Sequence, residues 1–168
     1  MAPRSIEEIF RALLDARVRF VVVGGVAVVL QGYPRLTLDL DLVLALDREN
    51  VLRTVGALER LGFQPRVAVR GDDFADPETR RAWARDRAMM VFSWWSDAFP
   101  GADVDLFVEE PIPFERLEST ADEVDLESCR IRVASIDHLL EMKRRAGRPR
   151  DLEDVQALVA IQAARQGR

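Results

Sequence analysis

Two aspartates, Asp39 and Asp41, stand two residues apart in a segment where Leu36, Leu38, Leu40, Leu42 and Leu44 alternate with Thr37, Asp39, Asp41 and Val43. A period of two describes a strand over residues 37–46. Both carboxylates then leave the same face, roughly 7 Å apart along the backbone, and the leucines between them point into the core. Paired carboxylates repel each other and resist desolvation. A divalent cation resolves that conflict. Mg²⁺, or Mn²⁺ in its place, takes oxygen ligands and commonly uses one or two carboxylates plus substrate phosphate oxygens. Such a site can clamp the attacking and leaving oxygens of a phosphoryl-type transfer.

An Asp-x-Asp strand alone is more often an exposed polar face. Gly24-Gly25, immediately upstream, changes the odds. The pair ends the buried strand pattern of Val18 to Val23 and precedes a short helical stretch, Val26 to Leu30. Backbone N–H groups at a strand-to-helix turn favour an anion, and glycines let a triphosphate approach closely. Neither a Walker A motif nor a dinucleotide fingerprint is present, because the spacing fits neither. A third carboxylate is expected from a neighbouring strand. Asp103 and Asp105 both qualify within ADVDLFV, and Asp105 is preferred because it is flanked by apolar residues. Its expected role is general base toward an acceptor hydroxyl, with a metal contact as well.

The elements that must position these groups follow from pattern. Ser5 to Ala16 read as an amphipathic helix with Ser5 as cap, and Asn50 to Leu61 as a helix ending at Gly62. Residues 71–79 read as a loop and 80–87 as a helix. Met89 to Trp95 and Val104 to Val108 read as strands, and Val124 to Val133 as a hairpin. Ser135 caps a helix running to Arg145, and Asp151 opens a last helix to about Ala164. The expectation is one α/β (α+β) domain over residues 1–168. Its mixed sheet with flanking helices spans 1–133, and a C-terminal helical pair spans 134–168.

Bulk composition excludes several classes. The chain has 168 residues and a net charge of −5, from 24 basic and 29 acidic residues, which argues against a general nucleic-acid coat. Basic residues gather locally at Arg80–Arg87 and Lys143–Arg150. No apolar run approaches the roughly 18 residues of a membrane span. The single cysteine, Cys129, can form neither an internal disulfide nor a zinc cluster, so a reducing, cytoplasmic setting is expected. His138, the only histidine, reads as an exposed helix residue. Trp83, Trp94 and Trp95 read as core or pocket wall, with base stacking open to Trp94 or Trp95 if either flanks the cleft.

The stretch VVVGGVAVVLQGYPRLTLDLDLVL resembles the signature of the DNA polymerase β-like nucleotidyltransferase superfamily. Its GG-x-A and R-x-T-x-D-L-D pattern is similar to AbiEii-type toxin nucleotidyltransferases and their small stand-alone relatives. The stretch LLEMKRRAGRPRDLEDVQAL is similar to the same group's Lys/Arg-Asp motif, followed by a further Asp three residues on. The resemblance implies that Gly24 and Gly25 cradle the phosphates of an NTP, and that Asp39 and Asp41 bind metal. It implies that Lys143 reaches the triphosphate with Arg148 or Arg150 nearby, and that Asp151 orients those groups or contacts the nucleotide. Arg35 and Thr37 would shape the pocket. Gly25 offers no hydroxyl where other members of the superfamily carry Ser, and Gln31 stands where a His often does.

The implied function is Mg²⁺-dependent transfer of an NMP to an acceptor hydroxyl on RNA, such as a tRNA 3′ end, or on protein. A toxin-like role with a cognate antitoxin follows from the resemblance, and the two basic clusters would contact the acceptor. The rivals are a transferase acting on small antibiotics and a non-catalytic binding member of the fold. The complete carboxylate set argues against the last. The sequence leaves the base, the acceptor and the oligomeric state open.

Overall fold

The computed structural model describes residues 4–167. Seven strands form one mixed sheet in the order β3-β4-β5-β2-β1-β7-β6. Its centre is β1 (Phe20–Val23), β2 (Leu40–Leu44) and β5 (Val104–Phe107). β2 runs antiparallel to β1 and parallel to β5. β4 (Val91–Trp95) pairs antiparallel with β5, and the two-residue β3 (Gln64–Pro65) pairs with β4. On the other side β7 (Arg130–Val133) lies parallel to β1 and forms the expected hairpin with β6 (Asp122–Asp125).

The helices follow the apolar stripes. α1 (Ile6–Asp15) buries Ile9, Phe10 and Leu13, and Glu8 accepts the Ser5 N–H at 3.4 Å. α2 (Gly24–Leu30) begins at Gly24 itself, two residues earlier than its apolar run suggests. α3 (Arg48–Arg60) starts at the Asp47 cap, which accepts from Asn50 N at 3.0 Å. The stretch expected as a loop is a 3-10 turn, Gly71–Ala75, followed at Pro77 by α4 (Pro77–Arg87). Proline at the first helical turn costs no hydrogen bond, and Asp76 caps the helix, so the helix starts three residues early. α5 (Phe114–Ser119) and β3 are too short for a periodicity to show.

Three further expectations are corrected. The strand predicted over residues 37–46 is only Leu40–Leu44. Leu36 and Leu38 are exposed, because residues 33–39 lie outside the sheet with no regular secondary structure. His138 is buried, not exposed, and its Nδ1 lies 3.1 Å from Thr120 Oγ1. Arg80 turns inward from the basic cluster and donates to Phe74 O at 2.6 Å, beside the Phe74, Trp83, Phe92 and Trp94 rings. Arg81 and Arg85 pair with Glu78 and Asp86.

The C-terminal helices, α6 (Ile136–Ala146) and α7 (Pro149–Gln166), meet the rest of the fold through a buried charge cluster. Asp154 is fully buried. It accepts from Arg35 Nε at 2.8 Å and Nη2 at 2.9 Å, and pairs with Lys143 Nζ at 2.9 Å. Lys143 also bonds Asp151 at 3.1 Å. Arg148 also pairs with Asp151 at 2.7 Å, so each buried carboxylate has two cationic partners. Deleting one member leaves the others buried and unpaired. Asp154→Ala should therefore cost about 3–5 kcal/mol in a urea denaturation experiment. A loss below about 1 kcal/mol would show that the cluster does not hold the helices.

Candidate active site

The carboxylates meet because of strand register. Asp41 pairs with Val23 on one side and with Asp105 on the other. Asp105 in turn pairs with Ser93. Residues directly opposite each other in a sheet point to the same face. Asp41 and Asp105 are therefore neighbours on adjacent strands, and Gly24 follows the residue that flanks Asp41. Asp39 lies just before β2 and is exposed.

Gly24 is placed against this pair by geometry that only glycine tolerates. Its φ is +66°, and a Cβ built there would sit 2.6 Å from Asp41 Cγ. Gly25 is constrained by contact alone. A Cβ on it would lie 2.9 Å from Arg35 Nη2 and 3.1 Å from Thr37 Cβ. Arg35 and Thr37 thus pack against the turn from outside, and Arg35 is itself locked by Asp154.

Charge in the site is unbalanced. Burial, then the nearby Asp105 charge, pushes the Asp41 carboxyl up to about 7; Asp39 adds to this and Lys143 opposes it. Burial also raises the Asp105 carboxyl, against a hydrogen bond from Ser93. Asp105 Oδ1 is buried, and no donor among the described residues reaches it. Asp103, the alternative third carboxylate, is engaged elsewhere: it binds the Arg66 guanidinium through both oxygens.

A hard divalent cation fits these donors. The set is all oxygen, one buried oxygen lacks a partner among the described residues, and the missing Gly24 side chain makes room for the Asp41 carboxylate at the turn. The described residues bring no three His, Cys, Asp or Glu side chains together as a ready-made cage. A cation held by Asp41 and Asp105 would complete its shell with phosphate oxygens and water.

The pair opens into a cleft of about 490 Å³. Gly24, Asp41 and Asp105 form one end, with Lys143, Arg148 and Asp151 beside them. Arg148 caps α7, and Asp151 Oδ2 accepts from its backbone N at 3.1 Å and its Nε at 2.7 Å. Burial would raise the Asp151 carboxyl, yet hydrogen bonds from Arg148 and Lys143 outweigh it and hold the group below the usual range. Arg150, named with Arg148 from the sequence, is exposed and does not line the cleft. Trp94 is fully buried in the core, and the half-buried Trp95 carries Arg66 over its ring at 5.9 Å. Sequence reasoning did not give Asp154 its partner Arg35, because the two are 119 positions apart and nothing local links them.

Residues 9–166 match the family described as nucleotidyl transferase AbiEii toxin, type IV toxin–antitoxin system. No curated protein matches the sequence. Among solved structures, the lincosamide antibiotic adenylyltransferase LnuA, lincomycin-bound, superposes with a TM-score of 0.61 at 17% identity. That match covers 95% of this chain and 99% of LnuA. ANT(2″)-Ia in complex with adenylyl-2″-tobramycin gives 0.62 at 14% identity, over 96% of this chain and 89% of the other. TM1012 from Thermotoga maritima gives 0.57 at 16%, over 92% and 90%. These likenesses show the fold, a seven-stranded mixed sheet with flanking helices. A match over nearly the whole chain places this protein in the AbiEii nucleotidyltransferase family.

Proposed function

We propose that this enzyme moves an NMP from an NTP to an acceptor hydroxyl in a Mg²⁺-dependent reaction centred on Asp41 and Asp105. The observation that carries the reading is their register as neighbours on adjacent buried strands, beside a glycine turn and a cationic wall. Mg²⁺ held by Asp41 and Asp105, with Asp39 able to join from the chain just before β2, would neutralise the phosphate oxygens around the α-phosphorus.

This chain's own residues supply the rest. Gly24 and Gly25 leave backbone N–H groups open to a phosphate. Arg148, exposed at the cleft, carries positive charge toward the triphosphate and is directed by Asp151, while Lys143 lines the cleft from its buried place between Asp151 and Asp154. The acceptor oxygen attacks the α-phosphorus as the bond to the bridging α–β oxygen breaks, and pyrophosphate leaves. The proton of the hydroxyl passes to Asp105, whose Oδ1 has no donor among the described residues and lies beside Asp41. Fixed charges and positioning, not covalent chemistry, account for the rate.

For the acceptor we favour the toxin-like role that the family description names, with RNA such as a tRNA 3′ end, or a protein, receiving the nucleotide and a cognate antitoxin restraining the enzyme. One observation supports a second reading. Near the carboxylates Asp39 is exposed, and Arg66 is tied to Asp103. An acidic approach suits a cationic small molecule, and two of the similar structures are antibiotic adenylyltransferases. Incubation with Mg²⁺ and labelled NTPs, offering total RNA, protein extract or aminoglycosides, separates the readings by which acceptor becomes labelled.

In whichever assay gives label, Asp41→Asn and Asp105→Asn should each lower kcat by roughly 10³-fold or more while the fold stays intact by circular dichroism. Activity within tenfold of wild type in either variant would remove the carboxylate pair from the mechanism. Gly24→Ala should cost about 1–2 kcal/mol of stability from its left-handed backbone, and lose nearly all activity because the methyl displaces the Asp41 carboxylate. A fully active Gly24→Ala would contradict the close approach.

A further inference from the structure

A row of side chains crosses the sheet from the carboxylate pair toward the β3 edge. Register pairs Asp41 with Asp105, and Asp105 with Ser93. Arg66, one residue past β3, donates its backbone N–H to Ser93 O at 2.9 Å and so extends the row by one strand. Trp95 stands two residues from Ser93, on the same face, while Phe92 and Trp94 point into the core. The cleft is lined by Asp105 but by none of Ser93, Trp95, Asp103 or Arg66, so this surface lies outside it. Arg66 is held at one edge only. Its Nε and Nη2 bind the two oxygens of Asp103, the latter at 2.8 Å, and the guanidinium lies over the Trp95 ring at 5.9 Å. Nη1 meets no acceptor among the described residues, and the side chain is 52% exposed. A guanidinium carries five N–H donors in a planar fork, so the Nη1–Nη2 edge is left for a second anion. The charge of Arg66 reaches Asp105, where it opposes the repulsion from Asp39 and Asp103.

Resting on the nucleotidyl-transfer reading, we propose that Arg66 selects the acceptor: its free edge takes a phosphodiester of an RNA whose terminal hydroxyl is delivered to Asp105. Three features favour a polynucleotide. Arg66 and Asp105 are two strand spacings apart, roughly 10 Å at the backbone, and the end of an RNA strand carries a phosphate and the reacting hydroxyl on one sugar. The half-buried Trp95 beside the guanidinium offers a base a stacking surface. A cationic drug gains nothing from a guanidinium, and repulsion from Arg66 discriminates against it. A protein hydroxyl arrives with no anion at a fixed distance from it.

The test is equilibrium binding of total tRNA to the full chain over a series of salt concentrations, with NTP binding measured beside it by calorimetry in Mg²⁺. Each phosphate neutralised on a single strand adds roughly 0.7 to the slope of log K against log salt. Arg66→Gln should weaken tRNA by roughly fivefold or more and lower that slope by about 0.7, with NTP affinity within about twofold of wild type. Arg66→Lys should keep the wild-type slope. Asp103→Asn should bind tRNA at least as tightly as wild type, because the cation stays. Unchanged affinity and slope in Arg66→Gln would overturn the proposal. Equal losses in Arg66→Gln and Asp103→Asn would also overturn it, since the pair would then serve the fold alone. A wild type that binds an NTP but not tRNA would overturn the acceptor assignment and leave nucleotidyl transfer standing. One that binds neither would overturn both.

Discussion

Two carboxylates held side by side, with no ion-pair partner among the described residues, are the constraint on which the rest of this site depends. The parallel register of β2 and β5 sets Asp41 opposite Asp105, and burial removes the water that would otherwise screen them. A protein gains no stability from that arrangement. The surrounding structure must hold it. The sheet does so through strands that are fully buried on both sides of the pair, with Val22, Val23, Leu40, Leu42, Val104 and Leu106 packed in the core.

A second charge cluster, in contrast, is balanced. Lys143, Asp151, Asp154 and Arg35 satisfy one another, and Arg148 adds a further hydrogen bond. The two clusters lie next to each other and differ in purpose. The balanced one fixes α6 and α7 against the segment leading into β2, so its cost is met within the folded chain. The unbalanced one is left open toward the cleft, where a ligand can complete it. Gly24 and Gly25 sit where the two approach, and their lack of side chains lets the Asp41 carboxylate and the Arg35–Thr37 pair both come close.

Much of this was legible in the sequence, for identifiable reasons. The Asp39–Asp41 spacing and the Gly24-Gly25 break are local patterns, but only Asp41 lies in β2; Asp39 stands just before it, outside the alternation that the sequence suggested. Asp105 stood out because its apolar neighbours marked a strand. The strand around Asp39 was overextended because alternation of Leu36 and Leu38 continues past the point where a pairing partner exists. Those two leucines are exposed, so the pattern did not report burial. His138 was misplaced because its burial depends on Thr120 in α5, an element too short to read. The apolar lining of the cleft was invisible because it comes from β4, β5 and α6, and no single segment contains it.

The central claim is that Asp41 and Asp105 together hold a divalent cation against an NTP. The most direct measurement is a crystal structure of the protein grown with Mn²⁺ and an NTP analogue that cannot be cleaved between the α- and β-phosphates. Anomalous scattering from manganese should appear within ligand distance of both carboxylates, with an α-phosphate oxygen completing its shell, and should vanish in Asp41→Asn. Nucleotide bound in the cleft with no manganese between Asp41 and Asp105, or manganese retained unchanged in Asp41→Asn, would contradict the account.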